Sequence, residues 1–407
     1  MITRLHIENF KSLVDFYLPD PNHKLGNFVC LIGMNGSGKS TVLQALDFLA
    51  QMFHGRMSEW CERRDWDPKD LASRIPMIQE WIVRDGRKIL RPSRIPAMIS
   101  FEVDFDFDGR EVSWIGRFNR STLRCTSEDI MVSGESKPIF THSEGFLQVN
   151  PGKADHYTRE TKGLIYEGSV LSVFEIEEEL PKRIKALMMG LKSLELLAPQ
   201  AMRRRSRKGE DIGYGGEKLA AFLDRIPQKE WEHLNETIRG FFPTLENLWV
   251  SNVRGGWKRV TSTEKHGVKC NITAAHMNDG TLRVLAILAQ AYSTHPVLLF
   301  DEIENGINPE IVEKLVDFLV GMKKQVIVTT HSPMILNYLE DRVARESVFL
   351  LYRDDAGWTR ATRFFDLPET NSKLRALGPG EVFVDTNLTL LTKRLAKKNA
   401  AFKPVKP

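Results

Sequence analysis

The chain has 407 residues, of which 42% are apolar and 27% charged, with a formal net charge of +4. That length buries a sizeable core and suggests two or three domains, and no uninterrupted apolar run approaches the ~20 residues of a membrane span, which argues against a membrane protein. The charge is too slight to name a polyanionic partner, and Cys30, Cys61, Cys125 and Cys270 stand far apart without a C-x-x-C pair, which predicts reduced, buried thiols and neither a zinc site nor a disulfide framework.

Met1 to His6 enters an amphipathic strand at once and lacks the apolar core of a signal peptide, so the expected location is the cytosol. Ile2, Leu5, Ile7 and Phe10 form its apolar side. Phe28 to Ile32 reads as a buried strand, and Thr41 to Gln51 has the apolar period of a helix. Between them, Gly33-Met34-Asn35-Gly36-Ser37-Gly38-Lys39-Ser40 fits G-x-x-x-x-G-K-[ST] at a strand-to-helix turn. Glycines at 33, 36 and 38 let backbone N–H groups converge on phosphates, with Asn35, Ser37 and Thr41 in the same cradle. Lys39 reaches the β and γ oxygens, and the Ser40 hydroxyl is placed for Mg²⁺.

Trp60 to Pro96 reads as a helical, irregular insertion whose tryptophans anchor a satellite core. Ile99 to Phe107 and Glu111 to Phe118 alternate around Asp108-Gly109, a hairpin signal. Its acids superficially match a calcium loop, but Ile115 stands where a bidentate Glu is needed, so they are the wet face of a strand. Phe174 to Leu197 and Glu217 to Phe242 are helical by pattern, and Asn247 to Thr273 reads as paired strands around Gly255-Gly256. Between the helical stretches lie Arg203, Arg204, Arg205, Arg207 and Lys208. This basic run fits either a DNA or RNA phosphate contact or a solvated, mobile loop.

From residue 277 the pattern sharpens. Met277 to Arg283 opens an apolar helix, and Val297 to Phe300 is an apolar strand ending in Asp301-Glu302. Such an ending is a Walker B, with Asp301 on the metal side and Glu302 polarising an attacking water. Gln325 to Thr330 is a further buried strand with His331 at its carboxyl end, where such sheets bind ligands.

This order resembles the ABC-type ATPases of the SMC, RecF and OLD group, especially compact AAA family ATPases of bacterial defence modules. The match covers residues 1–50 and 275–335, with weaker similarity from Leu374 to Thr386. The resemblance makes Gly33 to Ser40 the Walker A, Asn278 to Arg283 the signature, Glu304 to Pro309 the D-loop and His331 the switch histidine. The signature departs from Ser-Gly-Gly, so its γ-phosphate contact would pass to Asn278 and to N–H groups around Gly280. No Q-loop glutamine stands out, Gln79 and Gln148 being the candidates. OLD nucleases add a Toprim domain, for which the stretch after Leu350 is too short.

The resulting expectation is an α/β P-loop NTPase, an ABC-type nucleotide-binding domain with a mostly parallel sheet, an antiparallel β lobe and a large mixed insertion. Residues 1–55 and 271–350 would form the ATPase, 56–270 the insertion and 351–407 a C-terminal extension whose last part, Lys393 to Pro407, is a frayed tail. The resemblance implies an ATP-dependent homodimer, with a higher oligomer left open, using ATP and Mg²⁺. It also implies a nucleic-acid sensor or clamp, the alternative being a scaffold that holds and releases a separate effector nuclease or toxin.

Overall fold

Phe28–Ile32 is buried at all five positions because both faces of its sheet are covered: Val29 and Leu31 pack to one side, Phe28, Cys30 and Ile32 to the other. The computed structural model describes residues 1–73, 81–84, 87–90, 97–152 and 155–400. Its central sheet runs Leu191–Ser193, Val297–Phe300, Gln325–Thr329, Phe28–Ile32, Val348–Arg353, Thr359–Arg363. The first five strands are parallel and the last returns as a hairpin.

A second, antiparallel sheet has eight strands. Ile2–Glu8 lies between Phe16–Leu18 and Met98–Phe107, and the sheet continues through Arg110–Asn119 and Arg124–Val132 to its far edge at Tyr157–Glu160. The helix Lys39–His54 packs into its core, which explains why it is apolar nearly all round. At the centre Phe48 meets Phe10, Trp60, Phe101 and Phe118 with ring centroids 5.4, 5.3, 5.7 and 5.0 Å away. Truncating such a residue costs about 3–5 kcal/mol. Gln325 ties the two sheets together, its side chain accepting the Ile2 N–H at 3.0 Å and donating to Ile2 O at 2.7 Å and Gly26 O at 3.0 Å.

The segment 56–270 is not a separable insertion. Its strand Met98–Phe107 pairs with Ile2–Glu8 and carries the strands after it into the same sheet, and Leu191–Ser193 forms the edge of the parallel sheet. Its later part, with the helix Gln228–Phe241 and the sheet Leu245–Val253, Trp257–His266, Val268–Thr273, joins the core around the helix Asp279–Ala289 through Leu234, Ile238, Leu248 and Val260. Two other expectations change. Cys270 is exposed, because Val268–Thr273 is an edge strand, whereas Cys30, Cys61 and Cys125 are buried. Residues 393–400 continue the helix Leu388–Ala400, which Leu391 and Ala396 anchor; the rest of the expected tail lies outside the described residues, as does Gln79. The acids of the 104–108 row do lie on the strand's solvent side, each with a partner: Arg4 for Asp104, the Gly109 N–H for Asp106 and Arg183 for Asp108. Among the described residues no helix is long and apolar enough to cross a membrane.

Candidate nucleotide site

The loop after Phe28–Ile32 needs its glycines for two physical reasons. Gly33, Gly36 and Gly38 have φ of +148°, +77° and +107°, which side chains disfavour. A Cβ on Gly33 would also stand 2.3 Å from Leu351 O, and one on Gly38 2.3 Å from Thr359 Oγ1. Lys39, nearly buried at the start of the following helix, donates to Gly33 O at 2.8 Å and Met34 O at 3.3 Å. Burial lowers its pKa, while the charges of Glu302, Asp301 and Glu304 work in the opposite direction. Ser37 Oγ is buried without a partner. A cation, an orphaned hydroxyl and the free N–H groups of a helix start, gathered in one concavity, suit a phosphate chain.

Facing them are the carboxyl ends of Val297–Phe300 and Gln325–Thr329. Thr329 Oγ1 donates to Asp301 Oδ1 and accepts the Glu302 N–H at 2.9 Å, so one hydroxyl pins both acids. Glu302 has φ +46°, a conformation that non-glycine residues rarely adopt and that turns the chain sharply at the strand end. Glu304 is more deeply set. Its Oε1 accepts from Thr330 Oγ1 at 2.8 Å and from the His331 N–H at 3.2 Å. His331 Nδ1 lies 3.3 Å from Glu304 and 3.7 Å from Glu302. Glu304 therefore holds the loop that carries His331. The Ser40 hydroxyl and the Asp301 carboxyl are oxygen donors of the kind a hard cation takes, so the residues present fit Mg²⁺.

Several neighbours of this site had no local motif to reveal them. Arg353 Nε donates to Gly36 O at 2.7 Å and its Nη1 to Gly357 O at 2.9 Å. Thr359 donates through Oγ1 to Ser37 O at 3.0 Å and through its N–H to Ser12 O at 2.9 Å. Beside them opens a cleft of about 510 Å³ lined by Lys11, Ser12, Trp66, Asp70, Gly357 and Trp358. Lys11 Nζ lies 3.1 Å from the Trp66 ring centroid and donates to Gln44 Oε1 at 3.0 Å. Burial, helped by Arg64, brings Lys11 down to about 8. Trp66 and Trp358 give this cleft aromatic walls, and Lys11 gives it a cation.

Gln148 lies on Phe146–Val149 of the antiparallel sheet, paired with Thr141 and Thr158, away from this loop. The chain leaving Leu191–Ser193 instead brings Glu195 to the helix Lys39–His54, where it accepts from Gln44 Nε2 at 2.9 Å and Arg64 Nη2 at 3.0 Å.

Asn278 caps the helix Asp279–Ala289, its Oδ1 accepting the Thr281 N–H at 2.7 Å. A Cβ on Gly280 would lie 2.9 Å from Gly306 O, so the start of this helix packs on the turn that follows Glu304. Among the described residues no hydrogen bond joins Asn278 or Gly280 to Gly33–Thr41. The fold thus brings Asp301 and Glu302 within electrostatic reach of Lys39, with His331 beside Glu302. Arg203 departs from its expected role, since it pairs with Asp279 and donates to Met277 O at 2.9 Å. It braces the signature turn, while Arg204, Arg205, Arg207 and Lys208 remain exposed.

Two family models match consecutive parts of the chain: "AAA ATPase domain" over residues 1–193 and "AAA domain, putative AbiEii toxin, Type IV TA system" over residues 190–337. No curated protein matches. Among solved structures, the SMC head domain from Thermotoga maritima aligns at 12% identity and TM-score 0.45, covering 88% of this chain and 97% of its own. An SMC head bound to the C-winged helix domain of ScpA aligns at 14% and 0.49, covering 88% and 96%. An SMC head with an extended coiled coil, bound to the C-terminal domain of ScpA derived from Pyrococcus furiosus, aligns at 11% and 0.48, covering 92% and 99%.

Proposed function

We propose that this chain, an SMC/RecF-like AAA-type ATPase, binds ATP in the cradle of Gly33 to Thr41 and hydrolyses it to ADP and phosphate. The observation that carries the reading is that Glu302, Asp301 and Glu304 lie close enough for their charges to act on Lys39, with Thr329 pinning the first two and Glu304 holding His331 beside them. Backbone N–H groups and Lys39 neutralise the phosphate oxygens as charge shifts during transfer. Glu302 takes the proton of a water attacking in line, and His331 donates to the γ-phosphate, its ring held by Glu304. Ser40 and Asp301 would hold Mg²⁺, which would supply Lewis-acid stabilisation of the phosphate charge.

The signature of one subunit, separated from its own loop, completes the site of a second copy, so two chains close head to head on two ATP molecules. Asn278 is spent on its own helix cap through Oδ1, which leaves its amide Nδ2 and the helix N–H groups as the donors presented across the interface. The output is a nucleic-acid-linked sensor or clamp, favoured by the exposed Arg204, Arg205, Arg207 and Lys208. A second reading, an ATP-gated holder of a separate effector in phage defence, draws on the toxin–antitoxin description of the model matched over 190–337. Stable copurification of one effector, released by ATP, would favour it.

The test is Glu302→Gln, which keeps shape and hydrogen bonding but removes the base. It should retain ATP, lose turnover by ~10²-fold or more, and run as a dimer by light scattering only with ATP and Mg²⁺. Turnover within a few-fold of the parent would refute the assignment.

A further inference from the structure

We infer that the surface joining residues 204–208 to residues 254–258 binds single-stranded nucleic acid, with Trp257 as the platform on which an unpaired base stacks. The inference rests on the nucleic-acid-linked reading above and gives it a location and a substrate class.

The two segments are locked together. Ser206 N donates to Lys258 O at 3.2 Å, Lys258 N donates back to Ser206 O at 2.8 Å, and the buried Ser206 Oγ accepts the Ala221 N–H at 2.8 Å. The basic run is therefore fixed on a strand end. Gly255 and Gly256, at φ +77° and +76°, turn the chain so that Trp257 emerges at a corner with 37% of its surface exposed. The Arg207 guanidinium carbon sits 4.7 Å from the indole centroid, and a Cβ on Gly255 would stand 3.1 Å from Arg207 Nη2.

Charge pairing separates this patch from an ordinary solvated face. Arg203, Lys258, Arg225 and Lys269 have acidic partners in Asp279, Asp224, Glu210 and Glu246. Arg204, Arg205, Lys208 and Arg254 are exposed, and no ion pair joins any of them to a carboxylate among the described residues. Unpaired cations on the two joined segments that carry a partly exposed indole provide what a flexible strand requires, phosphate contacts alongside a stacking face. A duplex hides its base faces and leaves the indole nothing to stack on, so the geometry selects single strands.

The experiment is fluorescence anisotropy on the full chain with a labelled oligothymidylate, an oligouridylate and a duplex of equal length, repeated over a salt series. A single strand, DNA or RNA, should bind more tightly than the duplex. Trp257→Ala should weaken single-strand binding about 10- to 100-fold and Trp257→Phe should recover most of it. Arg204→Ala with Arg205→Ala should flatten the log–log salt slope by about 1.4. Basal ATP turnover should hold in every variant, which excludes misfolding. Single-strand affinity unchanged in Trp257→Ala, equal affinity for duplex, or competition by polyglutamate as strong as by oligonucleotide would overturn the inference, the last in favour of an acidic protein. No nucleic-acid binding by a chain with normal turnover overturns it and leaves the ATPase reading standing; binding in a chain whose Glu302→Gln form still turns over does the reverse.

Discussion

Removing Glu304 tests whether the site depends on a buried anchor that never touches the nucleotide. Its side chain is 13% exposed and its Oε1 accepts from Thr330 Oγ1 and the His331 N–H, while Oε2 is buried without a partner. Two hydrogen bonds to a charged acceptor would contribute about 1.5–3 kcal/mol each, against about 1–3 kcal/mol for leaving Oε2 unsatisfied. Glu304→Ala should therefore lower global stability by only about 1–3 kcal/mol in a urea titration. The effect on rate is larger, because a reacting group displaced by about 1 Å costs ~10²-fold. Steady-state turnover should fall by that order, with ATP affinity within a few-fold of the parent. Glu304→Gln, which keeps an acceptor at Oε1, should retain much of the rate. An Ala variant that folds, binds ATP and turns over within twofold of the parent would show that His331 needs no such anchor and would remove Glu304 from the mechanism.

Three further outcomes are expected. Gly38→Ala forces a side chain to φ +107° at about 1–2 kcal/mol and drives its Cβ into Thr359, so titration with ATP should show affinity reduced ~10-fold or more; unchanged affinity would contradict the loop geometry. Lys39→Ala and Asn278→Asp, each inactive alone, should restore turnover when coexpressed with different tags, because one site of the mixed dimer carries neither defect. Asp keeps the Asn278 cap, whereas a large residue at Gly280 would press on Gly306 within its own subunit; a purified mixed dimer without turnover would count against shared sites. Finally, burial disfavours protonated His6, but hydrogen bonds to Asp15 and Glu102 prevail and raise it to about 9. A raised folded pKa stabilises fully below the unfolded value near 6.5 and is lost as pH climbs through about 9. With the partner carboxylates 63% and 45% exposed, the contribution is about 1–3 kcal/mol, so His6→Gln should destabilise at pH 6 and cost little above pH 10; a pH-independent difference would disprove the linkage.

The features legible in the amino-acid order are those built from contiguous residues. Gly33 to Ser40 makes a cradle from its own backbone, and the flanking strand and helix can be read from uninterrupted apolar runs. Asp301, Glu302 and His331 were legible because each lies within two residues of the end of a strand of four or five buried residues, and strand ends mark the ligand side of such sheets. Groups that meet across the fold leave no such trace. Ser12 and Thr359 are 347 positions apart yet share a hydrogen bond beside the phosphate loop, and Arg353 reaches Gly36 across 317. Leu191–Ser193 is too short to show a period, so neither its place at the sheet edge nor the delivery of Glu195 to Gln44 could be read from pattern. The basic run looked uniform because charge is all that spacing reveals. Tertiary contacts divided it, pairing Arg203 with Asp279, burying Ser206 against the Trp257–His266 strand and setting Arg207 on Trp257, because which cation is neutralised depends on what packs beside it.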